Sequence, residues 1–318
     1  MHDLILHHYP NSPFSEKIRL ILGYKQLAWK SVVIPSIMPK PDVLALTGGY
    51  RKTPFLQVGA DIFCDSALIA DVLEHLQPTP SIFPEPSKGL ARILAHWADS
   101  TLFWAAMAHN LGPSRGAAQM FAGAPPEAAR AFGEDRKAMS NGMVRLRPAD
   151  AAAAYKSYLR RLSDMLDDQP FLLGQVPCIA DFSAYHPLWF TRVRTPVMAD
   201  ILQLTPAVLD WMDRMQAIGN GSMEKFDSVG AIAAAAAAVP MAVGNGLLTD
   251  STFQDEHGIP LGSRVTITAE SFGPEPTEGE LMAATRTHYT LSRIDERAGA
   301  LHVHFPRIGY VLKAVAPA

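Results

Sequence analysis

Leu4-Ile-Leu-His-His-Tyr-Pro10-Asn-Ser12-Pro13-Phe14-Ser15-Glu-Lys-Ile-Arg-Leu-Ile-Leu22 is the stretch on which the reading of the fold turns. Leu4 to Leu6 is short and apolar, as a strand is, and Pro10 breaks it. Beyond the break, Phe14, Ile18, Ile21 and Leu22 fall at helical spacing. Ser12 followed by Pro13 reads as N-cap and first helical residue, because proline there loses no useful N–H. The stretch therefore predicts a hydroxyl at the positive end of a helix, beside unpaired backbone N–H groups. Such a place suits an anion, and a thiolate is one.

Working outward, Ser31–Ile34 is β-branched and short, as a second strand is. The three prolines of residues 35–41 exclude regular structure there. Arg51-Lys-Thr53-Pro54-Phe-Leu-Gln-Val58 reads as a strand entered through proline, turned by Gly59-Ala-Asp61 and returned by Ile62-Phe-Cys64. A helix follows from about Ser66, with Leu68, Ile69, Val72, Leu73 and Leu76 as its apolar stripe. Strand, helix, strand, hairpin, helix is a thioredoxin-like order.

Ser12-Pro-Phe-Ser15 resembles the Cys-Pro-Phe-Cys turn of thioredoxin-like redox proteins with both sulfurs replaced by hydroxyls. With Lys17-Ile-Arg-Leu20 behind it, the run resembles the start of serine-type glutathione transferases, whose catalytic serine falls on Ser12. The resemblance implies an α/β thioredoxin-like N-terminal domain over residues 1–80 and an all-helical domain over 88–225. It also implies glutathione as co-substrate, an apolar electrophile held between the two domains, a homodimer and a role in detoxification. Thr53-Pro54 resembles the dipeptide before the family's cis-proline, where the backbone pairs with the cysteine of glutathione. Asp65-Ser66 resembles the acidic-Ser pair of the γ-glutamyl end: Ser66 and its helix N-terminus would receive the carboxylate, and Asp65 would sit near the ammonium. Lys52 lies where family members place a basic residue toward the glycyl carboxylate, with Arg51 as the alternative. Tyr9 is expected in the wall, Ser15 toward the helix. Other glutathione chemistry on the same scaffold (lyase, isomerase or peroxidase) and a non-catalytic binding protein are the competing readings.

The proposed chemistry is modest in size. A thiol near pKa 8.5 needs roughly 2.7 kcal/mol of preferential thiolate stabilisation to drop by about two units. A hydroxyl donor and a helix N-terminus can supply that together. The serine donates a hydrogen bond and is not the nucleophile.

From Leu90 the pattern is helical. Leu90, Ile93, Leu94, Trp97, Thr101, Trp104 and Met107 line one predicted face, and a Gly/Pro-containing interruption spans 112–126. Further helices are expected near Glu127–Lys137, over Ala151–Leu166 and after Thr205-Pro206. The run Cys178-Ile-Ala-Asp181 resembles the Ser/Thr-x-Ala-Asp start of the family's buried core helix. A sulfur in the hydroxyl's place predicts a weaker cap.

Residues 226–245, with six consecutive alanines, read as a connecting helix over Ser228–Val239 that stops at Pro240. The period then changes to two in Val265–Ala269, Thr287–Leu291 and Leu301–Phe305. Residues 246–318 are thus expected to form a small antiparallel β-module, with an open barrel as one form. His304-Phe-Pro-Arg-Ile-Gly-Tyr310 resembles a run in extensions of bacterial transferases of this length, and the resemblance assigns it no role. His302 and His304 alternate with Leu301, Val303 and Phe305, which predicts a solvent-facing pair rather than a metal site.

Bulk properties narrow the partners. A chain of 318 residues with 48% apolar content accommodates two or three domains. A net charge of -3 without basic runs speaks against nucleic-acid and anionic-membrane surfaces. Cys64 and Cys178, the two cysteines, give neither a disulfide framework nor metal spacing. With no signal-peptide pattern and no apolar run of about twenty residues, a soluble cytoplasmic protein is expected.

Overall fold

The computed structural model describes residues 2–140, 142–144, 146–254 and 256–315. Leu4–His8 (β1) leads into Pro13–Tyr24 (α1), and the chain returns through Trp29–Val33 (β2). After Pro41–Thr47 (α2), the hairpin Phe55–Val58 (β3) and Asp61–Cys64 (β4) feeds Ser66–Leu76 (α3). The order is the expected one with α2 added. Pro41, the last proline of a run that reads as a breaker, is the first residue of that helix, and Gly48 at φ 81 ends it.

The helical region runs through Lys88–Trp97 (α4), Phe103–Leu111 (α5), Ser114–Met120 (α6), Pro126–Met139 (α7), Pro148–Met165 (α8), Ile179–Trp189 (α9) and Pro206–Ala217 (α10). A π turn, Ala98–Leu102, joins α4 to α5 without a break. Helix α6 lies inside the expected interruption. It packs closely because residue 116 is glycine: a Cβ there would stand 1.8 Å from the Asn110 carbonyl oxygen.

The expected inner face of α4 holds for Leu94 and Trp97, which pack against the core, and is corrected for Leu90 and Ile93. Leu90 and Ile93 are 57% and 70% exposed, whereas Ala91, Ala95 and Ala98 are buried. Small residues let α4 approach the apolar helix α9 closely, and close approach outweighs side-chain bulk. At the start of α9, Asp181 Oδ2 accepts from Cys178 N at 2.9 Å, and Oδ1 accepts from Leu172 N at 2.8 Å and Trp211 Nε1 at 2.9 Å. The carboxylate thus serves three donors where the thiol replaces a hydroxyl.

The last third of the chain joins the first. Met223–Phe226 (β5), which the sequence reading missed, pairs in parallel with β2. Ser228–Ala236 (α11) ends before Pro240, so the connecting helix is shorter than expected. Arg264–Ala269 (β6), Thr277–Ala284 (β7), His288–Asp295 (β8), Gly299–Pro306 (β9) and Tyr310–Ala314 (β10) are antiparallel among themselves. They do not close into a barrel. β9 pairs in parallel with β4, giving one ten-stranded sheet of order β10-β6-β7-β8-β9-β4-β3-β1-β2-β5. The edge that β4 would otherwise expose is covered by chain from its own C-terminal third.

That seam overturns the solvent-facing reading of His302 and His304. Both lie on the same sheet face as Phe63, and the segment carrying Met241, Leu247 and Leu248 packs over the helical side of the sheet. His304 is 7% exposed, its ring stacked on Phe63 at 4.6 Å. Its Nε2 meets Asp61 Oδ1 at 2.9 Å and its Nδ1 meets Thr290 Oγ1 at 2.9 Å. Alternation along one strand cannot show that a second layer covers its polar face. Among the described residues, no group of three or more His, Cys, Asp or Glu is placed to hold a metal ion. Nor is any helix among them long and apolar enough to cross a membrane.

Candidate functional site

Strand register brings three segments to one end of the sheet. His7 of β1, Phe55 of β3 and Cys64 of β4 are successive cross-strand partners. Ser12 after β1, Thr53-Pro54 before β3 and Asp65-Ser66 after β4 therefore emerge side by side. A hydrogen bond from Lys17 Nζ to Ser66 Oγ, 3.2 Å, ties α1 to the start of α3.

Ser12 is the N-cap of α1, with Pro13 as first helical residue. Its Oγ accepts from Ser15 N at 3.2 Å, a bond that leaves the hydroxyl proton available for donation. Ser12 is 2% exposed, so such a donor acts in a poorly solvated place. Ser15 is buried in the helix, as expected. The Thr53–Pro54 peptide bond is cis. Thr53 Oγ1 is a buried polar atom without a hydrogen-bond partner, the kind of orphan that a ligand can satisfy.

Asp65 caps α3, Oδ1 accepting from Ala67 N at 3.0 Å. Its backbone has φ 80, a conformation that costs a non-glycine residue roughly 1–3 kcal/mol. Two tyrosines hold it there. Asp65 N donates to Tyr50 Oη at 3.1 Å, and Tyr310 Oη donates to Asp65 Oδ2 at 3.0 Å. Burial pushes both phenols well above their ordinary pKa, so both keep their protons.

Lys52 does not extend away from Asp65. Its Nζ lies 4.0 Å from Asp65 Oδ2 and over the rings of Tyr310 (4.7 Å) and Tyr50 (5.4 Å). Burial lowers its pKa, with the Asp65 charge acting the other way. The alternative cation, Arg51, is held by Asp135 Oδ1 at 2.8 Å and Glu275 Oε1 at 2.6 Å. Tyr9 Oη accepts from Arg136 Nη2 at 3.2 Å, beside the cleft.

Behind Ser66 lies a buried charge cluster that the sequence reading passed over. Lys17, fully buried, pairs with Asp99 Oδ2 at 2.6 Å, and His186 Nε2 meets Asp99 Oδ1 at 3.0 Å. Burial works to raise the Asp99 pKa, but Lys17 and His186 outweigh it and hold the carboxyl at about 2. Asp99 sits in the π turn, where an added residue re-aims a side chain.

The β6–β7 loop, residues 270–276, crosses over this end of the sheet. Gly273 N donates to Met139 O at 2.8 Å. A Cβ on Gly273 would fall 2.9 Å from Lys52 Cγ, so the loop lies directly on Lys52. Phe272 meets Trp104, ring centroids 5.3 Å apart, and Trp104 continues through Phe103 (4.9 Å) to Phe14 (4.7 Å), two residues from Ser12.

Comparison with known proteins fits this frame. Residues 6–81 match the glutathione S-transferase N-terminal domain and residues 127–214 the glutathione S-transferase C-terminal domain. A GST-like protein from Pseudomonas syringae is 41% identical, with 99% of this chain and 100% of that one covered and a TM-score of 0.81. A glutathione S-transferase from Rhodospirillum rubrum F11 is 19% identical, with 67% and 88% covered and a TM-score of 0.51. A search of curated proteins gave no match. The match to the Pseudomonas protein extends through the C-terminal strands. Two matched domain families and a full-length relative at this identity place the chain in the glutathione S-transferase family.

Proposed function

We propose that this family member activates the thiol of glutathione at Ser12 and presents the thiolate to a small apolar electrophile. Membership of the family supports glutathione-dependent activity in general. The observation that carries the finer reading is the register of His7, Phe55 and Cys64, which gathers Ser12, Thr53-Pro54 and Asp65-Ser66 at one sheet end. In this reading Ser12 Oγ donates to the thiolate, and the N-terminus of α1 adds its positive potential. Thr53-Pro54 pairs with the backbone of the tripeptide. Ser66 and the N-terminus of α3, backed by the Lys17 ammonium, take the γ-glutamyl carboxylate, and Asp65 takes the ammonium. Lys52 then swings from Asp65 toward the glycyl end. The thiolate attacks carbon, a carbon–sulfur bond forms, and the leaving group departs with its electron pair.

The homodimer belongs to the same proposal, and exposed Leu90 and Ile93 on one side of α4 offer it an apolar face. So do a cytoplasmic setting and a part in detoxification. The test is turnover by Ser12→Ala over a panel of alkyl and aryl electrophiles, with products identified. A loss of roughly tenfold or more in kcat near pH 7 with glutathione affinity nearly kept supports the assignment. Unchanged turnover, or products of isomerisation or peroxide reduction alone, defeats it.

A further inference from the structure

The β6–β7 loop carries one side chain, Phe272, whose position calls for an explanation. Phe272 stands at the far end of a run of rings that begins at Phe14 beside Ser12 and passes through Phe103 and Trp104. Phe14, Trp104 and Phe272 are each only partly buried, so the run keeps open surface. Phe14 also lies 4.4 Å from the His186 ring, whose pKa burial lowers against the pull of Asp99. The run is therefore aromatic from Phe14 to Phe272.

The loop that carries Phe272 is fixed at both sides. Gly273 is bonded to Met139 at the end of α7, and Glu275 is paired with Arg51 just before Lys52. It belongs to a part of the chain outside the stretches matched by the two transferase domains, residues 6–81 and 127–214. A side chain that ends an aromatic wall and comes from outside the shared domains is placed to make this chain's selectivity its own.

Resting on the function proposed above, we infer that Phe272 sets electrophile specificity, closing an aromatic wall that selects electrophiles bearing a flat aromatic ring. Phe272 packs such a ring edge-on or offset against Trp104, geometries that aromatic pairs prefer. It touches neither the thiol nor the leaving group. Its effect falls on KM and on the choice among substrates rather than on thiolate formation.

The experiment compares glutathione with S-benzylglutathione by titration calorimetry on the full chain, for wild type, Phe272→Ala and Phe272→Leu. The wild type is expected to prefer the benzyl conjugate. In both variants glutathione affinity stays within about twofold, while the benzyl preference falls by roughly fivefold or more. Leucine keeps apolar bulk against Trp104 and guards against a merely unfolded loop. A preference that survives in Phe272→Leu overturns the inference and leaves the proposed function standing. So do equal losses for both ligands, which mark a structural role. Failure of the wild type to bind glutathione at all removes the proposed function and this inference with it.

Discussion

Tyr310 Oη donates to Asp65 Oδ2 at 3.0 Å, so a residue of the last strand holds the acidic residue at the start of α3 across 245 positions of chain. Tyr50 holds the backbone of the same residue from the other side. The consequence is that the C-terminal strands help build the cleft rather than merely extending the sheet. Tyr310→Phe should keep the ring over Lys52 and lose only the bond. With Asp65 partly open to solvent, about 1 kcal/mol is expected, or roughly a fivefold weaker glutathione Kd by calorimetry. An unchanged Kd would separate Asp65 from ligand binding.

The Lys17–Asp99 pair predicts an asymmetric stability cycle. Asp99→Asn leaves a buried ammonium without its counter-charge, and about 3 kcal/mol of stability should be lost in denaturant unfolding. Replacing both partners, Lys17→Met with Asp99→Leu, should recover much of that loss, because neither buried charge remains. Equal losses in the single and double variants would mean that the charges themselves do little.

Acid should destabilise the protein through histidines that are buried neutral. Burial holds His7 at about 4, and burial with Arg19 and His7 holds His8 at about 3. His288 is kept at about 4 by burial and by His304. Neutral His7 bonds Gln57 Oε1 at 2.8 Å, and neutral His8 bonds Ser31 Oγ at 2.8 Å. Between these values and about 6.5 the unfolded chain binds more protons than the folded one, so stability falls as pH falls through that window and levels off below it. Shifts of this size are worth up to about 3–5 kcal/mol per histidine. Urea midpoints measured from about pH 7 down to about pH 5 should therefore drop steadily, and a constant midpoint would contradict the neutral, buried rings.

How far the sequence discloses this can be followed residue by residue. Ser12-Pro13 announces a capped helix because capping is local, and Asp65-Ser66 does the same for α3. Strand period and turn residues disclose the β-rich C-terminus for the same reason. What stays hidden depends on contacts distant in sequence. Nothing near β9 shows that it pairs with β4, so His302 and His304 read as solvent-facing and their partner Asp61 goes unnoticed. Nothing near Lys17 shows that Asp99 lies against it. Phe272 and Tyr310 sit in a turn and at a strand start, and only the assembled sheet brings them to the cleft. Tyr310 closes the His304–Tyr310 run, the one sequence signal that could have drawn attention to it. On α4, bulk misled at Leu90 and Ile93, because the buried positions between them and after them are alanines.

The most direct test follows the ultraviolet absorbance of the glutathione thiolate bound to the wild type and to Ser12→Ala as pH is raised. The bound thiol should ionise about two units below its usual value near 8.5 in the wild type and distinctly nearer that value in the variant, where the N-terminus of α1 acts without the hydroxyl. The same depressed ionisation in both proteins would contradict the claim that the Ser12 hydroxyl makes the sulfur anionic.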